Sequence, residues 1–152
     1  MKLASALSER SDLQRRLAEL ETRLNNNAKV QEGESPAEDP QTLLAELDTA
    51  ARRLEELIGR INLTNSVTRV GEESLTELLA RRDCLKLRLQ LMRSFLNSAS
   101  AKVDRYARTE IKIHSTVQVA QLQKDVDKLS KELRELDERI QGLNWTTDLL
   151  ES

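Results

Sequence analysis

Between Val119 and Leu143 the chain repeats apolar residues without a break. Val119, Leu122, Val126, Leu129, Leu133, Leu136, Ile140 and Leu143 follow one another in steps of three and four. That is the a/d seam of a coiled-coil helix, and its flanks are polar, with Gln118, Gln123, Asp125, Glu132 and Arg139 among them. Three other stretches carry the same period. Lys2 to Asn26 predicts a first helix on the stripe Leu3, Ala6, Arg10, Leu13, Leu17, Leu20 and Leu24, with Arg10 where an apolar residue is expected. Asp39-Pro40 is a helix start, because Asp39 can accept from free N–H groups and Pro40 suits the first helical position. The second helix is predicted from there to about Ile61, on Leu44, Leu47, Ala51, Leu54, Ile58 and Ile61, widened by Leu43, Ala50 and Leu57. Ser74 to about Ala99 predicts a third, on Leu75, Leu78, Arg82, Leu85, Leu89, Met92, Leu96 and Ala99. A second stripe of that helix, Cys84, Leu87, Leu91 and Phe95, lies about 115° around it at 100° per residue. A helix apolar on two faces is expected to lie between two neighbours.

The connections are polar. Asn25-Asn26-Asn27 stops the first helix, since short amides compete for backbone hydrogen bonds. Ala28–Gln31 within the 27–40 loop, Val67–Val70 within 62–73 and Glu110–Ser115 within 100–118 read as short extended runs. The tail Asn144–Leu150 holds Trp145 and is predicted to dock back.

The helices repeat. The first and third match at an offset of 72, through Leu3/Leu75, Arg10/Arg82, Leu13/Leu85, Arg16/Arg88, Leu17/Leu89 and Asn25/Asn97. The second and fourth match at an offset of 82, through Leu54/Leu136, Ile58/Ile140, Asn62/Asn144 and Thr64/Thr146. We read two copies of an αα-hairpin, 1–66 and 74–148, in one helical-bundle domain over 1–152. The fold class is all-α, an antiparallel four-helix bundle with a small β-pairing between connecting loops at one end. Up-down order places the run near Val30 beside the one near Ile111, and 67–70 at the other end.

Composition supports helices: charged residues are 33% of 152, aromatics 2%, with 4 Gly and 2 Pro. Lys and Arg total 24 and Asp and Glu 26, a net charge of −2 that supplies no global field for nucleic acid. No window has the roughly 18 consecutive apolar residues of a membrane span. The start MKLASALSERSDLQ meets Glu9, Arg10 and Asp12 before an apolar core of leader length develops, so a cytoplasmic location is expected.

Candidate chemistry is sparse. Arg10 and Arg82 occupy matching seam positions, and a buried guanidinium demands a carboxylate or several carbonyls. Up-down packing brings both toward the end holding Asn62, Thr64, Asn144 and Thr146. These six residues are a candidate small-anion or metabolite site, or a network that sets helix register. Arg105, Tyr106, Arg108, Lys112 and His114 form a basic stretch, interrupted by Asp104 and Glu110, that reads as a solvated loop. His114 is the one histidine, which leaves neither a zinc site nor a triad. Cys84 reads as a buried, inert thiol on an apolar flank. No catalytic, metal or cofactor motif stands out. The inward glutamate–histidine pairs of a di-metal bundle and a glycine-rich phosphate loop are both missing.

The segments NAKVQEGESPAEDP (27–40), INLTNS (61–66), LTELLARRDCLKLR (75–88) and 108–150, ending in LNWTTDLL, together resemble a small family of bacterial proteins often labelled septicolysin. The resemblance covers nearly the whole chain. It implies a compact helical protein without established catalytic residues, and the label implies a cytolysin. One Trp, one Tyr and one Phe give little to seat at a membrane interface. The leading expectation is therefore a non-enzymatic interaction protein that forms homo-oligomers through helical faces, Cys84, Leu87, Leu91 and Phe95 being the interface. It binds neither nucleic acid nor the membrane interior. The anion or metabolite binder, possibly an enzyme, and the membrane-active cytolysin are the alternatives.

Overall fold

A computed structural model of the chain describes residues 1–101 and 111–151. The fold is all-α. Four helices, α1 (Leu3–Asn26), α2 (Pro40–Val67), α3 (Leu75–Ser100) and α4 (Val119–Thr146), are joined by one short ribbon of β1 (Arg69–Val70) and β2 (Glu73–Ser74). The helices form two hairpins, α1 with α2 and α3 with α4. The chain divides into two compact units, Met1–Leu75 with Gln141–Ser152, and Thr76–Ile140.

In the first unit, cross-helix ion pairs mark the register. Glu9 pairs with Arg53, Arg16 lies 3.9 Å from Glu46, and Arg23 pairs with Glu38 just before α2. Numbers rise along α1 as they fall along α2, so the pair is antiparallel. Leu3, Ala6, Leu20, Leu43, Ala50, Leu57 and Ile61 are buried in it. Leu43, Ala50 and Leu57 bury deeper than Leu44 and Ile58, which are exposed, so the core side of α2 is the residues that widened its stripe. The predicted ends of the first connection hold. Asn27 follows α1, its amide donating to the Arg23 carbonyl (2.8 Å) and accepting from the Glu38 N–H (3.0 Å). Asp39 caps α2, accepting from the Gln41 N–H at 3.2 Å and the Thr42 hydroxyl at 3.0 Å.

α2 runs on to Val67, beyond the predicted end at Ile61. The extra turns are held by burial and by the chain's tail. Thr64 is buried, its hydroxyl donating to the Arg60 carbonyl (2.7 Å) and accepting from the Leu150 N–H (3.0 Å). Arg60 Nε donates to the Leu150 carbonyl at 2.9 Å. The tail also pairs with the start of the chain. The Leu3 N–H donates to the Thr147 carbonyl (2.9 Å) and the Leu149 N–H to the Met1 carbonyl (2.8 Å), while Lys2 Nζ sits 2.8 Å from Asp148 Oδ1. The tail docks as predicted, but its buried anchor is Leu149, 5% exposed, whereas Trp145 is 69% exposed.

The small sheet is not where the loop geometry put it. Among the described residues, the segments around Val30 and from Ile111 to Ser115 form no strand, and Val30 and Ile111 are exposed; Glu110 lies outside the described residues. The pairing instead lies within one connection, Arg69 opposite Ser74 and Val70 opposite Glu73. A two-residue turn, Gly71-Glu72, closes it, with Gly71 at φ +64°, where a glycine avoids the steric cost of a side chain. So short a loop costs far less chain entropy than joining segments roughly eighty residues apart.

In the second unit, Leu89 and Leu96 of α3 pack with Val126 and Leu129 of α4, bordered by Leu85, Met92, Val119, Leu122 and Leu133. The seam of α4 from Val119 to Leu133 is thus satisfied by its own hairpin partner. Arg82 approaches Asp137 and Arg93 donates to Ser130 Oγ at 3.2 Å, so this pair is also antiparallel.

The tail anchor is testable by urea unfolding followed by circular dichroism. Leu149→Ala removes a buried side chain and should destabilise the protein by about 2–4 kcal/mol. Trp145→Ala, at an exposed position, should stay within about 0.5 kcal/mol of the parent.

Candidate functional site

The six polar candidates are divided between the two units. Arg10, Asn62, Thr64, Asn144 and Thr146 belong to the first unit and Arg82 to the second. Thr64 is committed to Arg60 and Leu150. The Thr146 hydroxyl donates to the Gly142 carbonyl at 3.0 Å, and its own carbonyl accepts from Lys2 Nζ. Asn62 is exposed and Asn144 half-buried. Arg82, its side chain 24% exposed, reaches Asp137 Oδ1 at 3.6 Å and Asp83 Oδ1 at 3.3 Å, which supplies the carboxylates its seam position demands. Arg10 is half-buried without an ion-pair or hydrogen-bond partner among the described residues. Of the basic stretch, Arg105, Tyr106 and Arg108 lie outside the described residues, and Lys112 and His114 are exposed. Among the described residues no group of three His, Cys, Asp or Glu is placed to hold a metal ion.

A chain of ion pairs that the sequence reading missed runs across the first unit. Arg53 meets Glu9 with two parallel bonds, Nε to Oε1 at 2.7 Å and Nη2 to Oε2 at 3.0 Å, and reaches Glu56 at 3.0 Å. Glu56 in turn accepts from Arg60 at 3.2 Å. The bidentate bond from Arg53 holds the Glu9 carboxyl below the usual glutamate range, and the Arg53 guanidinium is raised in turn. Arg53 lowers Glu56 likewise, Arg23 lowers Glu38, and Lys2 lowers Asp148. Spacing alone would have found Arg53/Glu56 and Glu56/Arg60 at three and four residues. Glu9 and Arg53 are 44 residues apart, and no local pattern joins them.

The feature with the plainest call on a partner is the outer face of α3. Its inner face faces α4 through Leu89 and Leu96. Around the helix, Leu87, Leu91 and Phe95 are 56%, 62% and 48% exposed, and with Cys84, Arg88 and Met92 they line an open, apolar groove. Cys84 is exposed, which corrects the expectation of a buried thiol: its side of α3 points away from α4, and nothing in the hairpin covers it. The first hairpin provides a comparison. α1 and α3 both begin at offset 72, with Leu3 and Leu75 both buried at the start. At that offset Cys84, Leu87, Leu91 and Phe95 correspond to Asp12, Arg15, Glu19 and Arg23. The same face of α1 is charged, and Arg15 pairs there with Asp12. One position keeps its chemistry, Arg16 in α1 and Arg88 in α3. Arg16 has Glu46 at 3.9 Å, whereas Arg88 has no ion-pair partner among the described residues.

A family model matches residues 10–149, nearly the whole chain. The chain belongs to the family of unknown function DUF6847. Among solved structures it is similar to the crystal structure of a functionally unknown conserved protein from Corynebacterium diphtheriae, at 42% sequence identity and a TM-score of 0.93 over 99% of each chain. No curated protein matches it. Neither description names an activity. Among the described residues no helix is long and apolar enough to cross a membrane.

The lowered carboxyls set an acid limb of stability. A group whose folded pKa is depressed adds stability above its unfolded value and loses it as pH falls. Thermal midpoints should therefore hold near neutral pH and decline as pH drops through the ordinary glutamate value of 4.5 and the aspartate value of 3.8. Glu9→Gln should flatten that decline, and a pH-independent midpoint between neutral and pH 3 would contradict the ion-pair assignment.

Proposed function

We propose that this protein is a non-enzymatic interaction module that self-associates through the outer face of α3. The observation that carries the reading is the pair of Leu87 and Leu91 at more than half exposure beside Phe95, on a face that is charged in the matching helix α1. A run of large apolar side chains left in water is a site for another surface to cover. Each Leu would gain about 1–2 kcal/mol when covered, from the usual value for burying such a side chain scaled to the area still exposed. A two-fold contact counts that gain twice, because the same patch is supplied by both protomers. The polar candidates give less support to a ligand site, since Thr64 and Arg82 are already bonded within the protein.

Sedimentation equilibrium tests the proposal. The parent protein should show a reversible, concentration-dependent dimer in the micromolar range. Leu87→Glu combined with Leu91→Glu should leave a monomer at the same concentrations, with the thermal midpoint of the dilute protein almost unchanged because neither residue belongs to the hairpin core. A parent that stays monomeric rules out self-association through this face.

A further inference from the structure

We infer that the partner of the α3 face is the α3 face of a second copy, paired parallel and in register, with Asp83 of each copy opposite Arg88 of the other. The inference rests on the self-association reading and adds orientation and register to it.

The pattern along the face supplies the geometry. Ala80, Cys84, Leu87, Leu91, Ser94 and Ser98 follow in steps of four, three, four, three and four, a second a/d seam on the side away from α4. Phe95 lies beside it. Asp83 sits one residue before an a position and Arg88 one residue after a d position, so they occupy the g and e edges. In a parallel pair each g residue faces the e residue five positions further along the partner, and 83 plus five is 88. The Asp83 side chain is 67% exposed and shares one oxygen with Arg82; Arg88 is exposed and forms no ion pair among the described residues, although Asp125 and Glu132 of α4 line the same cleft. The equivalent Arg16 lies 3.9 Å from Glu46 within its own hairpin, whereas Arg88 makes no such pair and is left to meet Asp83 of a second copy.

The opposite orientation fails on the same residues. Antiparallel pairing centred on Leu87 and Leu91 sets e against e and g against g. Arg88 would then lie near its own copy, and Asp83 would face an edge of Gln90 and Asn97 with no cation. Packing allows both orientations, and charge selects the parallel one.

The contact is modest. From Ala80 to Ser98 the seam spans about 27 Å, and at a helix width of about 10 Å its footprint is on the order of 300 Å² per copy, below the range of stable interfaces and in that of weak, transient ones. A footprint of this size goes with weak, reversible association.

Cys84 serves as a reporter. It is the one cysteine and holds an a position, so parallel pairing brings the two thiols together across the axis, while antiparallel pairing sets each against Ser94. A short bis-maleimide added to the full-length protein at a concentration where sedimentation shows dimer should give a covalent dimer through Cys84. Asp83→Arg alone and Arg88→Asp alone should each weaken the dimer about ten-fold, and the two together should restore it to within about three-fold, because only the double exchange returns opposite charges to facing edges. Circular dichroism of each variant confirms that the hairpins stay folded. A dimer that Cys84 does not lock, but that native Cys84 with Ser94→Cys does, is antiparallel and overturns the inference while self-association stands. A dimer indifferent to both charge exchanges overturns it as well. A protein monomeric up to about 0.3 mM overturns the inference and the self-association reading together.

Discussion

Two helices packed as a hairpin can remove only one stripe of each from water. That constraint governs both halves of this molecule. The first hairpin meets it with an outer face of α1 that is polar and largely charged, as at Asp12, Arg15 and Glu19. It then adds the chain's end as a further layer, through Leu149 and the bonds to Arg60 and Thr64. The second hairpin buries Leu89, Leu96, Val126 and Leu129 between its helices and leaves Leu87, Leu91 and Phe95 outside. Two hairpins with matching helices thus meet the same limit in different ways, and the difference lies on one face of α3.

The charged network works within that frame rather than against it. With aromatics at 2% of the chain, the cores are built from Leu, Ile, Val and Ala, which specify sliding along a seam weakly. Arg53 on Glu9, Arg23 on Glu38 and Arg82 near Asp137 pin the two hairpins in register at the seam edges. Such half-exposed pairs add little net stability in water. Their physical role is to penalise the slipped alignments that a leucine seam would tolerate.

Periodicity made the helices, the antiparallel hairpins, the Asp39-Pro40 start and the Asn27 stop legible in the sequence, because each rests on residues within a turn or two of one another. What stayed hidden rests on distant partners. The last turns of α2 depend on Leu150 reaching Thr64, 86 residues away. The tail anchor went to Leu149 rather than Trp145, which no local signal distinguishes. The strand pairing was misplaced because the runs near Val30 and Ile111 alternate as a strand does, whereas the turn chemistry of Gly71 decided the matter. At the candidate site, the second stripe of α3 was visible in its spacing, and its exposure needed the structure. The Arg10 and Arg82 cluster was read from seam position alone, which does not show that Arg82 already has Asp137 at hand.

The bridge between Lys2 and Asp148 ties the start of α1 to the segment after α4. During synthesis α1 and α2 leave the ribosome early and can pair at once, since their contacts are local to the first half of the chain. The layer that completes their unit is made only after α4. Until residues 147–150 emerge, the carbonyl of Met1, the N–H of Leu3 and the hydroxyl of Thr64 lack their native partners. The first unit is therefore closed only after the second hairpin has been made, and a chain stalled before Leu149 carries an open first hairpin for chaperones and proteases to recognise.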